Sequence, residues 1–289
     1  MIPAPFDHIT PASLDEAIRA LNSHGDEAKL LSGGHSLLPM MKLRLANPKL
    51  LIDLSRIPGL SGIKQEGDKL AIGALTTHYQ IESSELLKEK CPLLPQTARV
   101  IGDVQVRNRG TIGGSLAHAD PAADLPAAML ALGAELAAKG PEGDRWLKAE
   151  DFFLGLMTTA LNPAEILTEI RVPVLSGTCG TAYLKAPQQA SGFAIVGVAV
   201  WLKMDGQICS DIGIGVTGLD AKPFRARQVE EQLRGKKLAP SLVEEASSQA
   251  THGMDPLGDI HASAEFRAHL ARLYTARGIQ EAVRNARLY

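Results

Sequence analysis

The sequence predicts an α+β protein in three parts, and three observations lead there. The first 56 residues alternate helical and strand patterns, residues 57–175 mix hairpins with helices, and beyond residue 176 three long apolar alternations give way to a purely helical pattern. The parts are therefore set at 1–56, 57–175 and 176–289, with the loose run Leu175-Ser-Gly-Thr-Cys-Gly180 at the second boundary. A chain of 289 residues with 45% hydrophobic and 21% charged residues has the length of about two ordinary domains.

Taken in order, the first element is a helix capped by Thr10 with Pro11 in its first turn, Leu14, Ala17, Ile18 and Leu21 on one face, and Gly25 at its end. Ala28–Leu31 reads as a strand running into Gly33-Gly34, with a helix or turn close behind. Leu50–Leu54 is a further strand, and a parallel pairing of the two would put the glycines at a carboxyl end, where α/β proteins bind ligands.

In the second part, two short alternating segments flank Gly67-Asp68 as a hairpin. Helices are expected over Tyr79–Glu89, Leu93–Ile101 and the apolar run Ala127–Leu132. Strands follow at Ala134–Lys139, Arg145–Ala149 and Ile166–Val172, the first two joined by a turn at Pro141–Asp144. The third part offers strands at Thr181–Ala186, Ala194–Met204 and Cys209–Val216, the last two joined at Asp205-Gly206. Helices open at Pro240 and run over Glu265–Ala276, giving a three-stranded antiparallel sheet with a helix bundle.

Composition excludes several partners. A formal charge of −2 and a pI near 6.5 provide no electrostatic footprint for nucleic acid or for an anionic membrane. No apolar run reaches the length of a membrane span, and the start lacks the regions of a signal peptide, so a cytoplasmic protein is expected. Cys91, Cys179 and Cys209 are scattered and odd in number, as suits reduced thiols, and no CxxC or His/Cys cluster provides a metal site. Any iron–sulfur cluster must sit on another chain, because each needs about four ligands.

Two glycine pairs carry the chemistry. Ser32-Gly-Gly-His-Ser36 removes two Cβ atoms beside short polar groups, which suits either a phosphate cradle or a plain strand-to-helix connection. Thr111-Ile-Gly-Gly-Ser115 repeats the pattern about eighty residues on. A pyrophosphate carries two charges that N–H groups of two such loops can share without lysine or arginine. The run Gly213-Ile-Gly-Val-Thr-Gly218 matches a dinucleotide fingerprint, but no helix pattern follows it and Pro223 comes soon after, so it reads as a glycine-tolerant strand.

The chain resembles the FAD-binding medium subunits of the molybdenum hydroxylases, especially those of the aerobic carbon monoxide dehydrogenases. The resemblance runs from Met1-Ile-Pro and Phe6 through Ser32–Lys42, Asp103–Gly114 and Asp120-Pro121 to Tyr183-Leu-Lys185. It implies a two-part FAD-binding region of the PCMH/vanillyl-alcohol-oxidase-like type followed by the sheet-and-helix part. It also implies that Ser32, Gly33, Gly34, His35 and Ser36 hold the FAD pyrophosphate together with Thr111, Gly113, Gly114 and Ser115. Lys29, Leu31 and Leu37 would lie along the cofactor. Ile101, Gly102, Val106, Ala117, His118, Asp120 and Asp124 would lie near its ribityl chain, adenine or flavin. Ile166 and Leu167 would give apolar packing, and Lys185 and Phe193 would flank the isoalloxazine. Two departures stand out: Ser115 replaces an Asn or Asp common in the family, and Gln188-Gln-Ala-Ser-Gly-Phe193 lacks the basic run and acidic residue of the carbon monoxide enzymes.

The resemblance implies an oxidoreductase subunit that relays electrons from [2Fe–2S] clusters through FAD to a quinone or other acceptor. Its implied partners are a small [2Fe–2S] subunit and a large molybdopterin subunit, assembled as a dimer of heterotrimers that touches a membrane only through the complex. The substrate, whether carbon monoxide, a purine or another heterocycle, is oxidised on another chain. Such a relay needs no acid, base or nucleophile of its own, and the sequence offers none. The alternative is a self-contained FAD-dependent oxidoreductase, which would need a base or a second dinucleotide site. A structural subunit that has lost its cofactor is disfavoured by the intact Gly33, Gly34, Gly113 and Gly114.

Overall fold

A computed structural model describes residues 2–288; Met1, which opens the stretch carrying the resemblance, lies outside them. The first part holds β1 (Asp7–Ile9), α1 (Leu14–His24), β2 (Ala28–Leu31), α2 (Leu37–Lys42) and β3 (Leu50–Asp53), with all three strands parallel in the order β1-β3-β2. Helix α1 starts later than Thr10. Ser13 is the cap, its Oγ accepting from the Glu16 N–H, while Glu16 Oε2 accepts from the Ala12 N–H. This reciprocal pair, with Asp15 and Glu16 at the positive end of the helix dipole, outweighs Thr10-Pro11. Ala17, Ile18 and Leu21 are buried as their spacing requires, against Leu50 and Ile52.

The second part begins with the hairpin β4 (Ile63–Glu66) and β5 (Lys69–Gly73). The helix expected over Tyr79–Glu89 is two helices, α3 (His78–Ser83) and α4 (Glu85–Lys90), because Ser84 turns extended and caps the second through its Oγ. After α5 (Leu93–Arg99) come α6 (Val104–Arg109) and α7 (Ile112–His118), two short helices that the apolar pattern does not reveal. Asp103 and Thr111 cap them, accepting from Val106 N at 2.9 Å and Gly114 N at 3.1 Å. Every residue of α8 (Leu125–Leu132) is buried. Then follow β6 (Glu135–Gly140), β7 (Gly143–Lys148), α9 (Ala149–Phe152), the small hairpin β8 (Phe153–Gly155) and β9 (Thr158–Thr159), and β10 (Ile166–Pro173). The sheet is antiparallel, in the order β4-β5-β10-β6-β7.

The third part contains the three expected long strands, β11 (Thr178–Pro187), β12 (Ala194–Asp205) and β13 (Ile208–Thr217). Its sheet is nevertheless six-stranded. After β14 (Phe224–Arg225) come α10 (Arg227–Leu233), β15 (Lys236–Lys237), α11 (Pro240–Ser247), α12 (Ala264–Arg284) and β16 (Arg287–Leu288), so that two-residue strands extend the edges. A two-residue strand has no alternation to read. The expected helix over Glu265–Ala276 also continues two further turns.

Helix α8 ties the second and third parts together, since it packs on β12 and β13 and shares a core with Cys179, Tyr183 and Ala199. The glycines of the Gly213–Gly218 run make this possible. A Cβ on Gly213 would lie 2.1 Å from the Ala131 carbonyl oxygen, and one on Gly215 would lie 1.9 Å from that of Ala127. The run is a strand under a helix backbone, as its context indicates, and not a nucleotide turn.

His78 opens α3 behind Thr77, whose Oγ1 accepts from Gln80 N while Gln80 Oε1 accepts from Thr77 N. Its ring is buried with Nδ1 unpartnered among the described residues, and burial, with smaller contributions from His35 and Arg107, pushes its imidazole down to about 4.

Two outcomes are expected. Gly215→Ala lowers stability by about 3 kcal/mol in urea unfolding, because neither backbone can retreat. Stability also falls by about 3 kcal/mol as pH drops from 6.5 to about 4, because across that window the unfolded chain takes up a proton on His78 that the folded chain refuses. Urea midpoints of the wild type and His78→Gln at pH 7 and pH 4.5 check this, the variant losing that part of the pH dependence.

Candidate cofactor cleft

The carboxyl end of β2 opens into a cleft of about 760 Å³ between the parallel sheet and the α6–α7 segment, with the wall Leu161–Leu167 leading into β10. Leu31 enters the loop Ser32–Ser36, where Gly34 takes φ +74 and Gly33 meets the other side of the cleft. A Cβ on Gly33 would lie 2.3 Å from the Arg109 carbonyl oxygen and 2.8 Å from Gly110 Cα. The Ser32 and Thr111 hydroxyls join across the same gap at 2.7 Å. The two glycine loops therefore touch, backbone against backbone, as one surface.

Their N–H groups differ. In the second loop Ile112 N donates to Thr76 O, Gly113 N to Ala74 O and Gly114 N to Thr111 Oγ1. Gly113 is glycine because a Cβ there would lie 2.5 Å from that of Ala74; it lines the cleft but its donor is committed. In the first loop Gly33 N is taken by Ser32 Oγ, whereas the N–H groups of Gly34, His35 and Ser36 have no acceptor among the described residues. Successive free donors in a loop with a left-handed residue form a nest for an anion. Gly114 completes the cradle: a Cβ there would press within 2.8 Å of both Ser32 Oγ and Thr111 Oγ1.

The other residues singled out in the sequence fall around this cradle. Lys29, Leu31 and Leu37 line the first wall; Ile101 and Gly102 line it from the turn before α6 and Val106 from α6 itself; Ser115, Ala117 and His118 line it from α7. Arg107 fixes that turn, donating to Ile101 O at 3.1 Å and pairing with Glu82 at 2.7 Å. Asp120 lines the cleft while its Oδ1 accepts from Ala122 N at 2.8 Å, a local turn that shapes the approach to α8. Ile166 and Leu167 are buried at the start of β10, and Phe193, 43% exposed, stands at the rim.

Lys185 is the exception. It does not line the cleft; its Nζ lies 2.8 Å from Asp124 Oδ2 and 2.9 Å from Val100 O, behind the carboxylate that does. Asp124 and the Lys185 side chain are each only 4% exposed. Burial raises the Asp124 carboxyl above the usual carboxylate range, against the pull of Lys185 and of Tyr183, whose hydroxyl donates to Oδ1 at 2.6 Å.

Sequence reasoning missed Tyr183, although its place two residues before Lys185 on a strand puts both on one face. It also missed His78 and Glu165. Glu165 lines the cleft, held by a two-pronged Arg145 contact at 2.6 and 2.7 Å and by the Asn162 N–H at 2.6 Å; bonding to Arg145 lowers its carboxyl pKa. Arg145 lies on β7 and Glu165 in the loop just before β10, with no local pattern linking them.

The family described as "FAD binding domain in molybdopterin dehydrogenase" matches residues 4–175, and that described as "CO dehydrogenase flavoprotein C-terminal domain" matches residues 181–282. The carbon monoxide dehydrogenase medium chain of Hydrogenophaga pseudoflava is 40% identical over 98% of this chain and 98% of its own length. The glyceraldehyde dehydrogenase medium chain of Sulfolobus acidocaldarius is 38% identical over 97% and 99%. A solved structure of the Hydrogenophaga pseudoflava carbon monoxide dehydrogenase, lacking the Mo-pyranopterin moiety of its molybdenum cofactor, superposes with a TM-score of 0.97. It covers 99% of this chain and 100% of the matched chain. The chain therefore belongs to the FAD-binding medium subunits of molybdenum hydroxylase-type dehydrogenases of the carbon monoxide dehydrogenase kind.

Proposed function

We propose that this subunit holds FAD in the cleft and serves as the outlet of a three-subunit molybdenum hydroxylase. In this reading it takes electrons from a small [2Fe–2S] subunit, a large molybdopterin subunit oxidises the substrate, and a quinone or other acceptor removes the electrons. The complex is a dimer of heterotrimers in the cytoplasm. Bound FAD would supply the conversion between one-electron input and two-electron output.

The observation that carries the reading is the cradle: three successive N–H groups, at Gly34, His35 and Ser36, without acceptors among the described residues, beside two joined hydroxyls. That donor set fits a pyrophosphate. The first loop supplies the free N–H groups, and hydroxyl donors add to them: Ser115, and whichever of Ser32 and Thr111 accepts in their mutual hydrogen bond and so keeps its own hydrogen to turn toward phosphate oxygen. Gly33 and Gly114 keep the two loops close enough to act on one anion. Leu31, Leu37, Ile166 and Leu167 give apolar cover that keeps water from the chain of the cofactor, and Phe193 covers the mouth.

Relatives named for carbon monoxide and for glyceraldehyde match this chain almost equally, at 40% and 38% identity. That near equality supports placing the choice of substrate on the molybdopterin subunit. The glutamine-rich run before Phe193 then bears on the flavin's surroundings and its acceptor, not on the substrate.

The purified chain, reconstituted with FAD, is expected to show the visible absorption of bound flavin, and Gly34→Asp and Gly114→Asp to lose it. Gly114→Asp puts a side chain and a negative charge against the two cradle hydroxyls, and Gly34→Asp puts a charge on the loop that carries the free N–H groups, crowds Leu38 and strains a left-handed backbone. Unchanged flavin content in both variants, with circular dichroism matching the wild type, would show that the pyrophosphate sits elsewhere.

A further inference from the structure

The far face of the third sheet carries a second cavity. Helix α8 shares a core with Tyr183 and Ala199, whereas Ala271, Ile279 and Ala282 of α12 share one with Val198 and Val200, whose side chains leave the strand on the opposite side. The second packing is also close: a Cβ on Gly278 would lie 3.1 Å from Val200 Cγ2, and one on Gly180 would lie 1.8 Å from the Ala282 carbonyl oxygen. Helix α11 packs beside α12, and between the two runs an open groove of about 440 Å³ that shares no lining residue with the cofactor cleft.

Spacing along α12 accounts for what the groove presents. His269, Leu273, Ala276 and Gln280 follow one another by four, three and four residues, so they form a single strip along it. At about 100° per residue, Arg272 and Arg277 fall on either side of that strip, and both line the groove. Neither pairs with a carboxylate among the described residues. Arg272 donates through one nitrogen to Thr251 Oγ1 at 3.1 Å, which leaves the rest of its fork free, and the exposed Arg277 has no partner there.

From α11 come Glu244 and Ser247. Glu244 makes no ion pair among the described residues, so nothing closes across the groove to neutralise the arginines. Ser247 is only 2% exposed, and its Oγ has no hydrogen-bond partner among the described residues. A serine inside a helix ordinarily turns its hydroxyl to the carbonyl one turn back, and buried hydroxyls are rarely left unpaired. An orphaned hydroxyl beside two arginines without counter-charges marks a donor set whose acceptor is not part of the chain.

We propose that the groove between α11 and α12 is a binding site for a small organic oxyanion, a carboxylate or a phosphate ester on a compact apolar body. Arg272 and Arg277 take the oxyanion, since a guanidinium fork matches two of its oxygens at once. Ser247 adds a hydroxyl, which a single turn about χ1 redirects. Leu273 and Ala276 carry the apolar body. A water molecule occupies about 30 Å³, so a bare inorganic ion would leave most of the groove empty. A groove of about 440 Å³ falls instead in the range of small-molecule sites. Glu244 disfavours a second negative group on the α11 side. The site owes nothing to the cofactor reading and stands or falls without it.

The test is isothermal titration calorimetry of the full chain with benzoate, phenyl phosphate and inorganic phosphate at low and high salt, alongside melting of each variant. The wild type is expected to bind benzoate or phenyl phosphate with a Kd below about 1 mM, more weakly at high salt. The tighter of the two identifies the head group, and inorganic phosphate should bind about tenfold more weakly than it. Arg272→Met and Arg277→Met should each lose about tenfold. Glu244→Gln should bind about threefold more tightly. Ser247→Ala should bind more weakly while melting no lower than the wild type, because it deletes a hydroxyl that has no partner in the free chain. Arg277 is exposed and unpartnered, so its variant keeps the fold. A wild type that binds neither organic anion overturns the proposal, as does an Arg277→Met variant that binds both as tightly as the wild type. Equal affinity for inorganic phosphate overturns it as well, since the apolar body would then count for nothing.

Discussion

The contact on which this structure depends is the backbone-to-backbone meeting of Gly33 with Arg109 and Gly110. No side chain fits between them, since even a Cβ would lie 2.3 Å from a carbonyl oxygen. The contact joins a parallel sheet near the start of the chain to a helix pair some eighty residues on, with the Ser32 and Thr111 hydroxyls closing the seam at 2.7 Å. Because the two loops are pressed together, their polar groups act on one point in space. Three successive N–H groups without acceptors among the described residues then form a nest of positive partial charge.

A second close approach has the same cause and a different use. Helix α8 lies on the third sheet through Gly213 and Gly215, backbone on backbone, and carries Asp124 at its leading end. The sheet then grips the turn before α8 with Thr217, Gly218 and Ala194, and the carboxylate with Tyr183 and Lys185. The third part of the chain is therefore not an appendage to the cleft. It shares a core with the second part and finishes one of its walls.

Much of this was legible from residue order. The strand Ala28–Leu31 and the hairpin turn at Gly67-Asp68 fall where the alternation and the turn residues put them, because each is a local preference of backbone and side chain, whereas the turn expected at Asp205-Gly206 lies one residue later, at Gly206-Gln207, with Asp205 still paired to Ile208. The start of α1 shows where such reading slips: Thr10-Pro11 and Ser13 with Glu16 both signal a helix start, and the reciprocal hydrogen bonds of the second pair decide. The two-residue edge strands and the short helices α6 and α7 had too few residues for a period to show.

What the sequence determined by itself was the chemistry available: two glycine pairs flanked by hydroxyls, one of them directly after a strand pattern, and three scattered cysteines. Those follow from residue types and short spacings. Only the tertiary structure decided which groups are free to act. It committed the Gly113 N–H to Ala74 and left those of Gly34 to Ser36 without acceptors among the described residues; it set Lys185 behind Asp124, outside the cleft lining, and brought Tyr183 to the same carboxylate. These are hydrogen bonds across long sequence separations, 59 residues between Tyr183 and Asp124 and 79 between Ser32 and Thr111, and no local pattern encodes which partner a donor finds.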